Sequence, residues 1–288
     1  MSRLTPSDYS FTRYLAAKKS VDDRALNEHI WQTLAKALPQ KPLQILEIGA
    51  GIGTMIERTI ERQLFGEDVS YTAIDAQTAN INEARQRLRT APESFTIQLE
   101  AIDLFDFTAR EQGKRRWDLL IAHAFLDLVD LAQTLPILFS LLKPGGHFYF
   151  TLNFDGGTIF QPLIDPDIDP NIISLYHRTM DERIIDGRSS GDSHTGRQLF
   201  NKVQLAGGEI LAAGSSDWVV FAGKDGYPAD ETYFLHFIIH TMQQALEGHP
   251  QLDRSLFAAW IAQRHAQIEA GTLVYIAHQL DFLGRRSP

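Results

Sequence analysis

The segment Ile45-Leu46-Glu47-Ile48-Gly49-Ala50-Gly51-Ile52-Gly53-Thr54 joins an apolar run, one acid and three alternate glycines. The run from Leu43 to Ile48 has the character of a buried parallel strand. Met55, Ile56, Ile60 and Leu64 then recur at helical spacing. Glycines at a strand-to-helix junction let the backbone turn tightly and approach a ligand beside free helix N–H groups. The dinucleotide pattern Gly-x-Gly-x-x-Gly fails, because Thr54 stands where its third glycine belongs. Glu47 lies inside the apolar run, where an unpaired carboxylate costs several kcal/mol, so it needs a partner. Tyr71-Thr72-Ala73-Ile74-Asp75 is a second short strand that ends in an acid. A carboxylate there can accept hydrogen bonds from both hydroxyls of a ribose; helix capping is the competing role.

The Glu-x-Gly-x-Gly-x-Gly loop resembles the cofactor loop of class I S-adenosylmethionine-dependent methyltransferases. Three further landmarks follow in that family's order: Asp103 after Leu99 to Ile102, the strand Trp117 to His123, and Leu142-Lys143-Pro144-Gly145-Gly146 leading into His147 to Phe150. The resemblance implies an S-adenosylmethionine site, with S-adenosylhomocysteine as product. It implies cofactor contacts from Glu47, Gly49, Ala50, Gly51, Gly53, Asp75, Ala76, Asp103, Leu104, His123 and the N-terminal Arg13. The implied fold is a doubly wound, Rossmann-like α/β sheet of seven mostly parallel strands with an α-helical cap.

A sulfonium methyl is electrophilic without help and its thioether leaves neutral. The protein mainly has to align an acceptor lone pair with the methyl–sulfur bond. A hydroxyl or carboxylic acid acceptor also needs a base or a matched electrostatic site. His123 and Asp127 are the candidate catalytic residues, with packing or cofactor contact as the alternative for His123. Asp130, His177, Asp192 and His194 are further candidates near the cleft, and Arg178, Arg183, Arg188 and Arg197 could clamp an anionic acceptor. His236 and His240 stand one helical turn apart without a third ligand, which favours face packing over a metal site. Ala122-His123-Ala124-Phe125 lacks the Asn/Asp-Pro-Pro-aromatic motif of amino-methylating enzymes, and no cysteine is present for 5-methylcytosine chemistry. A small-molecule acceptor, through oxygen or carboxylate, is the leading reading. A protein or tRNA methyltransferase and a non-catalytic S-adenosylmethionine-binding protein are the alternatives.

The 288 residues are 44% apolar and 22% charged, enough for one large core. A formal net charge of −9 argues against a nucleic-acid footprint, so no DNA partner is expected; a homodimer is open. No run approaches a membrane span and Met1 to Asp8 has no apolar signal region, which suggests a cytoplasmic protein.

Three segments follow. Residues 1–40 are expected to be helical and to lie over the cofactor site. Residues 41–223 form the Rossmann-like core, with an insertion at 155–194 whose Gly156-Gly157, Asp-Pro steps and Ser/Gly-rich tip read as broken loop rather than core. Residues 224–288 supply two helices, about 229–247 and 252–270, and a final strand at about 272–282. Trp218 to Ala222 competes for that last strand position, but Thr272 to Leu280 is longer and follows a helix-stopping glycine, Gly271.

Overall fold

The computed structural model describes residues 6, 8–38, 42–185 and 187–287. Its strands are β1 (Leu43–Ile48), β2 (Val69–Asp75), β3 (Phe95–Ala101), β4 (Trp117–His123), β5 (Leu142–Gln161), β6 (Ile184–Ile185), β7 (Arg188–Ser189), β8 (Gly208–Ser215), β9 (Trp218–Val220) and β10 (Val274–Arg286). Its helices are α1 (Phe11–Ala25), α2 (Glu28–Ala37), α3 (Thr54–Glu61), α4 (Thr78–Arg87), α5 (Leu104–Glu111), α6 (Leu131–Ser140), α7 (Ile168–Asp181), α8 (Thr195–Leu205), α9 (Glu231–Leu246) and α10 (Arg254–Glu269).

Strand order in the main sheet is β3-β2-β1-β4-β5-β10-β8, seven strands with the short β9 added beside β10. The first five are parallel, and β10 runs antiparallel to its neighbours β5, β8 and β9. The burial of β1, β2 and β4 is nearly continuous, as expected of parallel strands covered on both faces. Helices lie on both sides of the sheet. One core cluster packs α6 and α8 against β4 and β5, and another packs α2 and α3 against β1 and β2. A third, built from α1, α7, α9, α10 and the end of β5, forms the cap.

Two boundaries differ from the sequence expectation. β5 does not stop at 154; it continues to Gln161 because β10 pairs with it as far as Val274 opposite Gln161. The final strand correspondingly runs to Arg286 rather than 282, since its second half also pairs with β8. Residues 155–194 are also not a broken loop. α7 occupies their centre and buries Ile172 and Leu175 in the cap cluster. Its first turn tolerates Pro170, whose missing N–H would have no helical partner there. Asp169 instead accepts from the backbone N–H groups of Ile164 and Asp165 at 2.7 and 3.0 Å. No described helix is long and apolar enough to cross a membrane.

Candidate active site

The sheet order lays four strand ends side by side, and the expected cofactor residues follow them. Asp103 comes just after β3, Asp75 closes β2, the glycine loop follows β1, and His123 closes β4. All open onto one cavity of about 1140 Å³ between the sheet and the cap. Glu47, Gly49, Ala50, Gly51, Asp75, Ala76, Asp103, Leu104, His123 and Asp127 line it.

The loop has the backbone its glycines permit. Gly49, Gly51 and Gly53 have φ of 65°, 54° and 82°, and a Cβ at Gly49 would come within 2.5 Å of Phe125. Gly53 caps α3 and does not face the cavity; it packs against Leu88 and Ala84. Asp75 braces the turn from below, accepting from the Gly51 N–H at 2.8 Å through one oxygen. Its other oxygen accepts from Gln77 N–H at 2.8 Å and the Asn80 amide at 3.1 Å. Asp103 caps α5 by accepting from Phe105 N–H at 2.7 Å and remains exposed. Glu47 has the partner that its burial demands: the Tyr71 hydroxyl donates to it at 2.8 Å. Burial nevertheless pushes its carboxyl up to about 8, against the opposing pull of Tyr71 and Arg58.

His123 corrects an expectation. Its Nδ1 lies 2.8 Å from Thr151 Oγ1 and its Nε2 3.1 Å from Asp22 Oδ2, so both ring nitrogens are engaged. Burial pushes its pKa down to about 4, against the pull of Asp22. Burial alone would raise Asp22, but Lys18, His123 and Arg58 outweigh it and hold the group ionised. The imidazole is therefore neutral, donates from Nε2 to Asp22 and accepts from Thr151 at Nδ1. It has no free nitrogen with which to take a proton from an acceptor.

Asp127 is different. It sits in the short 3₁₀ turn Leu126–Leu128, lines the cavity, and its Oδ1 is buried without a hydrogen-bond partner among the described residues. Burial raises its pKa, while Arg183 and Lys18 pull it down. Tyr176, whose phenol is pushed up to about 12 by burial, and Arg183 line the same region. Arg183 donates to the carbonyls of Ser190 and, at 3.2 Å, of Asp127.

Several candidates lie elsewhere. Arg13 does not line the cavity: Asp230 binds its guanidinium at 2.9 Å, and it stacks over Tyr233. Asp130 lines the cavity rim as the cap of α6. His177, His194 and Arg178 line a separate cavity of about 670 Å³. Asp192 joins Asp181 and His194 in a cluster that could geometrically hold a cation, but these carboxylates accept backbone N–H groups of His194 and Ser193 at 2.7 Å. Arg197 binds Asp155, and the Arg188 side chain lies outside the described residues. His236 lies 2.7 Å from His265, Nδ1 to Nδ1, and His240 stacks on Tyr9. Sequence reasoning missed Lys18 and Asp22, joined at 2.8 Å on α1, and Trp218, whose indole N–H donates to Asp22 at 2.9 Å. The only local signal was an i, i+4 polar pair on a helix with an otherwise apolar stripe.

Residues 46–148 match the family model described as "Methyltransferase domain". Among curated proteins, a 6-hydroxymellein synthase of Talaromyces verruculosus is 32% identical over 116 residues, 37% of this chain, and the match spans only 4% of that protein's length. Among solved structures, a putative methyltransferase from Bacillus halodurans C-125 aligns with a TM-score of 0.53 at 13% identity, covering 90% of this chain and 99% of that one. A methyltransferase from Methanosarcina mazei aligns at 12% identity and TM-score 0.48, covering 91% and 98%. Residues 46–148 thus match a methyltransferase domain, and the fold is shared with a putative methyltransferase; the methyl donor that such domains use is S-adenosylmethionine. The cavity fits that donor: Gly49 and Gly51 line it at positive φ, and carboxylates line it at the end of β2 and just after β3.

Proposed function

We propose that this protein transfers the methyl group of S-adenosylmethionine to an oxygen of a small, largely apolar acceptor bearing a hydroxyl or carboxyl group. The observation that carries the reading is Asp127, a cavity-lining carboxyl with one buried, unpartnered oxygen and a pKa raised by burial. A base needs a lone pair that no protein donor claims and a pKa shifted toward the working pH, and Asp127 has both. The sulfonium supplies an activated methyl, so the remaining work falls to this chain's own side chains. Asp127 takes the acceptor proton, the Tyr176 phenol orients the acceptor oxygen, and Arg183 tempers the charge gathering at Asp127. Phe154, Tyr176, Trp218, Phe237, Ile238 and Tyr275 form an apolar wall that excludes water and fits a compact, flat acceptor better than a polypeptide or tRNA. The curated relative, named for making a small hydroxylated product, supports the same acceptor class.

Turnover to S-adenosylhomocysteine across a panel of phenols and small carboxylic acids tests this reading. Asp127→Asn is expected to lower kcat by about a hundredfold or more, the usual scale for a lost general base, while cofactor binding stays within about threefold. Methylation of proteins or tRNA with no turnover of small acceptors would overturn it.

A further inference from the structure

The resemblance of the loop leaves one end of the donor without a protein partner. Asp103 and Asp75 stand at the ends of β3 and β2, and Glu47 with the glycine loop stands at the end of β1. An amino acid lying beyond that loop carries a carboxylate that must meet a cation or free N–H groups. Arg13, the expected cation, is taken by Asp230. The cationic side chains lining the cavity, among the described residues, are Lys18 and Arg183. Arg183 is committed to the carbonyls of Asp127 and Ser190, at the acceptor end. Lys18 lies beside the glycine loop and the end of β4, with Asp127 also within reach of its charge. α1 crosses the loop so closely that a Cβ on Gly51 would lie 3.2 Å from Leu15, and Lys18 projects from the next turn. Asp22, 2.8 Å from Lys18 and 3.1 Å from His123, ties the ammonium to the end of β4. An ammonium has three donors, and Asp22 is the carboxylate it meets.

We infer that Lys18, held by the Asp22–His123 pair, receives the carboxylate of the donor's amino-acid end, with Asp22 and His123 as positioning residues. The inference rests on reading this cavity as the S-adenosylmethionine site. Asp22 also accepts from Trp218 and faces neutral His123, so its own charge is spread over donors other than Lys18.

Decarboxylated S-adenosylmethionine lacks only the group in question, so calorimetry of it against S-adenosylmethionine isolates the contact. The wild-type protein is expected to prefer S-adenosylmethionine by about tenfold or more, the scale of one charge-assisted hydrogen bond. A Lys18→Met, Asp22→Asn double variant, chosen because Lys18→Met alone strands a buried carboxylate, should show less than about threefold preference, whereas Lys18→Arg should retain it. Should the double variant fail to fold, reductive methylation of the wild-type lysines reads the same contact. Lys18 labelling is expected to slow with S-adenosylhomocysteine and not with 5′-methylthioadenosine. Persistent preference in the folded double variant, equal affinity in the wild type, or equal protection by both ligands would each overturn the inference. Binding of neither donor by the wild type would instead refute the reading of the cavity.

Discussion

The side chains that matter most in the cavity are those whose burial leaves something undone. Glu47 is buried with one hydroxyl donor and sits near 8 rather than its ordinary value of 4.5. The folded state therefore holds a proton that the unfolded chain releases above 4.5, so the contribution of Glu47 to stability is complete below that value and fades as pH rises through 8. His123 works in the opposite sense: burial lowers it from 6.5 to about 4, and its contribution is present above 6.5 and lost as pH falls. Between pH 6.5 and 8 the Glu47 slope acts without that of His123. The melting temperature of the ligand-free protein should fall across that window, and Glu47→Gln should flatten the fall. A flat profile in the wild type would show that Glu47 is ionised throughout. Asp75→Ala should weaken S-adenosylmethionine binding by about tenfold or more, through loss of two hydroxyl hydrogen bonds. Unchanged affinity with a lowered melting temperature would leave Asp75 as a brace for the Gly51, Gln77 and Asn80 donors alone. The glycine loop, Asp75 and Glu47 were legible in the sequence because their chemistry is packed into a few consecutive residues. The true environment of His123 was not, because Asp22 reaches it across 101 residues of chain and leaves no local pattern.

The cap shares an apolar core with β5, β9 and β10, and ion pairs join its helices to one another and to α3. Glu231 on α9 has no exposed surface and accepts from Arg24 at 2.6 and 2.9 Å and from Ser20 at 2.7 Å, which joins α9 to α1. Arg58 on α3 meets Asp23 at 2.5 Å and secures the other side of α1. Asp169 on α7 pairs with Arg264 on α10, both fully buried, and also accepts from the Trp260 indole at 2.6 Å. Removing one partner of such a pair strands the other, so Arg264→Met should cost about 3–5 kcal/mol in chemical denaturation. A loss below about 1 kcal/mol would mean that the Trp260 and backbone donors satisfy Asp169 without the guanidinium. These pairs also explain why 155–194 was misread from sequence. Its Asp-Pro steps are turn signals in isolation, yet Asp169 serves as the anchor of a helix whose apolar positions, Ile168, Ile172 and Leu175, have helical spacing. α9 and α10 were legible as long periodic segments, whereas their attachment to α1 and α7 was not.

At the scale of the whole molecule, β10 holds together what the rest of the chain leaves apart. It lies between β5 and β8, pairs with both, and carries Asp281, which accepts from Asn27 N–H at 2.9 Å and Leu152 N–H at 2.8 Å. One strand thus completes the sheet, supports the junction of α1 and α2, and brings Tyr275, Ala277 and Gln279 into the cavity wall. The order of synthesis gives this arrangement a cost. Until residues 274–286 clear the ribosome, β5 presents a long, largely buried-type edge with no partner, and β8 has no strand to pair with. The nascent protein must then pass through a sticky, half-zipped intermediate, and a messenger that stops short of Val274 should yield aggregates instead of a smaller working enzyme.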